Sequence, residues 1–210
     1  MVHYDLSHLT QQPDQSVLGP VQDDEALVMY AMIKGMRSRR VLEIGGLGGY
    51  SATNFVRAID HGDGTRGTVY TVDLNRVPQV AGNHVCIRKD AADVSAADVD
   101  NEPLDVVFFD CHEYDAQMAM FGRLCKERMI TDDTVLLLHD TNLHPIRTVP
   151  WAREVEGGFV HQSVERDMVN QFKDSFGYDC VSIRTRKAVH NDFLPYRHGL
   201  TICQKFEWLC

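Results

Sequence analysis

Residues 40–51 read Arg-Val-Leu-Glu-Ile-Gly-Gly-Leu-Gly-Gly-Tyr-Ser, and this stretch limits the fold more than any other part of the chain. An apolar run (Val41, Leu42, Ile44) carries a single acid, Glu43, and breaks at Gly45, Gly46, Gly48 and Gly49 before a helix-forming segment. A buried strand that turns so abruptly into a helix is the opening unit of an α/β sheet. The glycines let a ligand approach the backbone, and the helix N-terminus offers it unpaired N–H groups. A nucleotide-like cofactor is the first candidate. The dinucleotide fingerprint G-x-G-x-x-G fits poorly, because Ser51 stands where its third glycine belongs and Glu43 lies inside the strand.

The segment resembles instead the first motif of Rossmann-like S-adenosylmethionine-dependent methyltransferases. Glu-Ile-Gly-(x)3-Gly-Tyr-Ser is most similar to the catechol and caffeoyl-CoA O-methyltransferases and their bacterial relatives, in which the place of Leu47 also breaks the glycine pattern. The resemblance covers roughly residues 19–206. It implies a single-domain α/β fold: a seven-stranded, mostly parallel sheet with an antiparallel last strand and helices on both faces.

The layout agrees. Residues 1–22 read as an irregular arm and 23–210 as one domain. Asp23 and Asp24 open a helix whose apolar residues recur at helical spacing. Strands are predicted at 40–44, 68–73, 84–88, 104–110, 134–138, 179–184 and 199–206, with helices at 50–59, 116–129 and 161–176. Only about ten residues, including Pro78 and Gly82, separate the second and third strands, too few for a normal helical crossover. The segment 142–158 reads as a long irregular loop and 185–198 as a polar linker; both should shape an acceptor pocket.

The second strand ends in Asp73, where the architecture places a ribose and where a carboxylate accepts from both hydroxyls. Asp73 can equally cap a turn with Asn75. The fourth strand ends Phe109-Asp110-Cys111-His112-Glu113 and the fifth His139-Asp140-Thr141-Asn142. Asp110, Asp140 and Asn142 (or Thr141) offer oxygen donors to one Mg2+ or Mn2+ at an accessible strand edge. The bland alternatives are turn caps for the two acids and a satisfied near-core imidazole for His139.

The resemblance implies an Asp after strand four and an Asp-Asn pair after strand five as metal ligands; here Thr141 separates that pair. It further implies that Gly45, Gly46, Gly49, Tyr50 and Ser51 hold the methionine end of the cofactor. Val21 and Gln22 would close over it from the arm, Asp90 and Ala91 would flank the adenine, and Asp110 would reach the methionine amine. Glu43 would organise the turn. His112 is the first choice of base, since imidazole titrates near neutrality. Glu113, where the catechol-type enzymes carry lysine, is the second.

A net charge of -9 argues against a nucleic-acid partner, and no apolar run reaches the length of a membrane span. The six cysteines form no CxxC pair and read as free thiols in a reducing cytoplasm, with no signal-peptide layout at the N-terminus. The expected acceptor is a small-molecule hydroxyl, and a homodimer is left open. The rival readings are a nicotinamide-dependent oxidoreductase and a non-catalytic S-adenosylmethionine-binding module.

Overall fold

The computed structural model of the chain describes residues 21, 23–64, 67–141, 153–155, 158–160, 164–183 and 199–205. Helix α1 (Asp23–Met36) leads into β1 (Arg40–Ile44), the glycine turn and α2 (Tyr50–Ala58). β2 (Thr68–Asp73) and β3 (His84–Arg88) follow with no helix between them, as the short Pro78-containing link requires. Two short 3-10 turns (Ala91–Asp93 and Ala96–Val99) lead to β4 (Val106–Phe109), α3 (Tyr114–Lys126) and β5 (Val135–Leu138).

A two-stranded ribbon, β6 (Arg153–Val155) with β7 (Gly158–Val160), begins inside the 142–158 segment expected to be an irregular loop and runs two residues past it. α4 (Val164–Phe176), β8 (Tyr178–Ile183) and β9 (Leu200–Lys205) complete the described chain. The main sheet has seven strands in the order β3-β2-β1-β4-β5-β9-β8. The five strands from β3 to β5 are parallel, and β9 runs antiparallel to both of its neighbours.

β4 and β5 are apolar throughout because both of their faces are covered. Val106 and Phe108 of β4 pack on one side with Val41, Phe55 of α2 and Met29, Tyr30 and Ile33 of α1. Val107 and Phe109 pack on the other with Met120, Phe121 and Leu124 of α3 and Met168 and Phe172 of α4. Phe121 and Phe172 anchor that side with ring centroids 4.8 Å apart. Val21 is buried in the α1 side of the core, and Gln22 lies outside the described residues. Among the described residues no helix is long and apolar enough to cross a membrane.

The reading of all six cysteines as free thiols is overturned at one pair. Cys180 of β8 and Cys203 of β9 face each other in the antiparallel register and are joined as a disulfide. Pairing across strands brought side by side by the sheet leaves no CxxC signature in the sequence. With it goes the argument from thiols to a reducing compartment.

Candidate active site

The order reverses between β1 and β4: β2 and β3 extend to one side of β1 and β5 to the other side of β4. A ligand crevice forms at the carboxyl ends of strands at such a switch point. Gly45, at the end of β1 with φ +95°, lies so close to β4 that a Cβ would fall 2.4 Å from the Asp110 carbonyl oxygen. A Cβ on Gly46 would fall 2.2 Å from the Thr71 methyl. Gly49, at φ 76°, is the N-cap of α2.

Asp73 holds this turn. Its Oδ2 accepts from the backbone N–H of Gly46 at 3.0 Å and of Leu47 at 3.1 Å, while Oδ1 accepts from Asn75 N–H at 2.7 Å. Glu43 braces the turn from behind and is fully buried. The Ser51 hydroxyl donates to its Oε1 and Thr71 Oγ1 donates to Oε2 at 2.6 Å. Burial pushes the Glu43 carboxyl up to about 7 against the pull of those two hydroxyls. Thr71 Oγ1 in turn contacts His84 Nε2 at 2.8 Å. Glu43 and Ser51 therefore bond to each other, and neither they nor Gly46, Gly49, Tyr50 and Val21 line the crevice.

The crevice has a volume of ≈ 550 Å³, within the range of small-molecule sites. Gly45, Asp73, Asp90, Ala91, Asp110 and His112 line it, as does Glu113. Leu47 and Leu74, two of the most exposed large apolar residues described, supply greasy walls. Asp90 caps the first 3-10 turn, its carboxylate accepting from Ala92 N–H at 2.8 Å.

Beyond Asp110 lies a cluster of acids and imidazoles. His139 is fully buried, with Nδ1 3.0 Å from Asp110 Oδ1 and 3.4 Å from Asp140 Oδ1, and Nε2 3.0 Å from Glu25 Oε2 on α1. His112 places Nε2 3.3 Å from Asp140 Oδ2 and Nδ1 3.1 Å from Glu165 Oε2 on α4. Glu165 Oε1 also accepts from the His112 backbone N–H and from Gln117 Nε2, each at 3.1 Å. His112 and Asp140 both hold left-handed backbones, φ 58° and 56°, which are uncommon outside glycine and concentrate at sites that need them.

Charge sets the protonation here. Burial alone would lower both imidazoles. The hydrogen bond and charge of Glu165, with Asp140 and Asp110, instead lift His112 to about 10. The charges of Asp140, Asp110 and Glu25 hold His139 well above its ordinary value. Burial raises Asp110, partly offset by His139.

Three expectations change. His112 does not titrate near neutrality in this network; it holds its proton. Asp140 is fully buried rather than at an accessible edge. Thr141 turns away from the cluster, its hydroxyl accepting from Thr201 Oγ1 at 2.7 Å. Asn142 lies outside the described residues. His139 is a satisfied buried imidazole, but its partners are the site's own carboxylates. Sequence reasoning missed Glu25, Glu165 and Gln117. Each sits in a helix where an acid or amide looks like ordinary helical decoration, and only tertiary packing brings it to the site.

Residues 42–141, spanning the glycine turn to the end of β5, match the methyltransferase-domain family model. Over this part the chain is similar to methyltransferase domains. No curated protein matches the sequence. The fold is shared with the putative caffeoyl-CoA O-methyltransferase from Staphylococcus aureus (16% identity, TM-score 0.61, covering 95% of this chain and 96% of that one). It is also shared with the O-methyltransferase TomG from Streptomyces achromogenes, solved with S-adenosylmethionine (19%, 0.58, 99% and 92%). A third likeness is the Bacillus cereus O-methyltransferase solved with S-adenosylhomocysteine (16%, 0.58, 89% and 83%). These likenesses establish a Rossmann-like methyltransferase fold.

Proposed function

We propose that the protein transfers the methyl group of S-adenosylmethionine to a hydroxyl of a small molecule, with a divalent cation held by Asp110 and Asp140. The observation that carries this reading is one continuous arrangement. A crevice of cofactor size ends, beside the carboxyl edge of β4, at a Asp110–His139–Asp140 group whose ligand atoms lie within 4.8 Å of one another.

The donor chemistry fits a dication. Glu25, Asp110, Asp140 and Glu165 set four carboxylates against two imidazoles, so the cluster keeps an excess of negative charge even with both rings protonated. A cation bound there supplies Lewis acidity that lowers the pKa of a substrate hydroxyl and orients it.

The chain's own residues do the rest. Asp73 receives the ribose through Oδ1, which keeps an acceptor site beyond the Asn75 N–H, whereas Oδ2 already accepts from Gly46 and Leu47. Asp90 and Ala91 flank the adenine. Gly45 keeps the wall of the crevice bare where the sulfonium must approach the acceptor. Methyl transfer is an in-line displacement, so catalysis rests on placing the acceptor oxygen at near-attack distance and removing its proton. His112 is placed to take that proton; Glu165 chiefly holds the imidazole's own proton, and a cation at Asp110 and Asp140 would weaken the part of that hold due to those two acids. Glu113, exposed at the start of α3 and lining the crevice, is the alternative acceptor. The net charge of -9 favours a small-molecule acceptor over a nucleic acid.

Calorimetry tests the first half: S-adenosylmethionine or its demethylated product should bind in the micromolar range, about -8 kcal/mol. Absence of binding, or tighter binding of NAD, overturns it. Turnover over catechols, sugars and polyketide-like hydroxyls, with and without Mg2+, tests the second half. Full-rate methylation in excess chelator removes the cation from the mechanism.

A further inference from the structure

We propose that His139 supplies the third protein donor to the cation at Asp110 and Asp140, and that Glu25 fixes its ring for that task, so that the site prefers Mn2+, Fe2+ or Co2+ over Mg2+. This rests on the preceding reading that a divalent cation binds here.

The geometry is that of a ligand with a support. His139 is fully buried directly before Asp140, and its Nδ1 points between Asp110 Oδ1 and Asp140 Oδ1. Its Nε2 is pinned 3.0 Å from Glu25 Oε2. Metal-bound imidazoles commonly donate their far N–H to a carboxylate, which sets the tautomer and aims the lone pair at the metal. Glu25 is itself held: its Oε1 accepts from Gly199 N–H at 2.9 Å, so α1 and the entrance to β9 meet on this carboxylate.

A proton on Nδ1 now bridges to Asp110. A cation would take the place of that proton, which leaves to solvent, while Nε2 keeps its bond to Glu25. His112 is the competing imidazole, but its Nδ1 is committed to Glu165, and its Nε2 lies 3.3 Å from the opposite oxygen of Asp140 and 3.9 Å from Asp110 Oδ1, farther than His139 Nδ1 at 3.0 Å. An all-oxygen donor set suits Mg2+, whereas one imidazole nitrogen moves preference toward the later first-row ions.

The test uses the whole protein loaded with Mn2+ and read by pulsed electron paramagnetic resonance. The expected result is a nitrogen coupling from one imidazole. It should survive in His112→Asn and vanish in His139→Asn. Calorimetry should show Mn2+ or Co2+ bound at least tenfold more tightly than Mg2+. Glu25→Gln should keep the coupling and weaken Mn2+ binding by about tenfold or more. If His139→Asn does not fold, the wild-type and His112→Asn spectra still decide the matter. Mn2+ bound without nitrogen coupling, coupling lost in His112→Asn instead, or equal affinity for Mg2+ overturns the role of His139 and leaves the cation in place. Failure of every ion to bind overturns the cation itself.

Discussion

Asp140 sits at φ 56° with no exposed surface, between two imidazoles, and this decides how it should be mutated. Alanine there would leave His139 and His112 facing a void, and removing one partner of a buried charge pair typically costs about 3–5 kcal/mol. Loss of activity in Asp140→Ala would then report misfolding as much as lost chemistry. Asparagine keeps the volume, tolerates the left-handed backbone and removes only the charge. Asp140→Asn is therefore expected to cut metal-dependent turnover by at least about a hundredfold, the scale of a lost metal ligand or its support, while it keeps the fold with an unfolding midpoint that drops less than in Asp140→Ala. Turnover retained at more than a tenth of the wild-type rate would remove Asp140 from the chemistry. Asp73 carries a related ambiguity. Its carboxylate ties Gly46 and Leu47 as well as facing the crevice, so Asp73→Asn should weaken cofactor binding by about 1.5–3 kcal/mol through lost charge-assisted bonds. Isothermal titration shows whether the loss is real; an unchanged affinity would confine Asp73 to bracing the turn.

The element that organises the site is the β1–turn–α2 unit, and its buried acid makes it sensitive to pH. Glu43 rises from 4.5 to about 7 on folding. Below 4.5 it is protonated in both the folded and unfolded chain, and its contribution is fully present. As pH rises toward 7 the unfolded chain releases the proton first, so stability falls by about 3 kcal/mol and then levels off. Denaturant unfolding of the wild type and of Glu43→Gln at several pH values should show the wild type losing that amount relative to the variant between pH 4.5 and 7. A difference independent of pH would mean that Glu43 titrates alike in the folded and unfolded chain. This unit was legible in the sequence because its cues are local: apolar run, acid, glycines, helix. The helix-free link between β2 and β3 was legible for the same reason, being a matter of length and Pro78. Glu25 and Glu165 were not, since they lie 114 and 53 residues from the histidines they hold. Nor could the protonation of His112 be read locally, because acids from three separate elements set it.

At the scale of the whole molecule the sheet is anchored unevenly, and the Cys180–Cys203 bond marks the weaker side. β1, β4 and β5 are covered on both faces, whereas β8 is an edge strand with Val181 66% exposed. Its one strand neighbour, β9, is also the path by which Glu25 holds Gly199 and Thr201 holds Thr141. Loosening β9 would therefore disturb the acid–imidazole cluster from the far side. The disulfide closes a sequence separation of 23 residues, for which chain entropy assigns about 3 kcal/mol of stabilisation. Reduction should shift the denaturant midpoint accordingly, and Cys180→Ser/Cys203→Ser should match the reduced protein and become insensitive to reductant. Thiol titration of the unfolded, unreduced chain should find two fewer reactive groups than after reduction. Because β9 links the disulfide to the site through Gly199 and Thr201, the reduced protein should also bind Mn2+ more weakly while its affinity for the demethylated cofactor, proposed to lie on the β1–β2 side, stays the same. A midpoint indifferent to reductant would show the two sulfurs to be unbonded neighbours. A midpoint that shifts with no change in Mn2+ binding would confine the bond to the sheet edge.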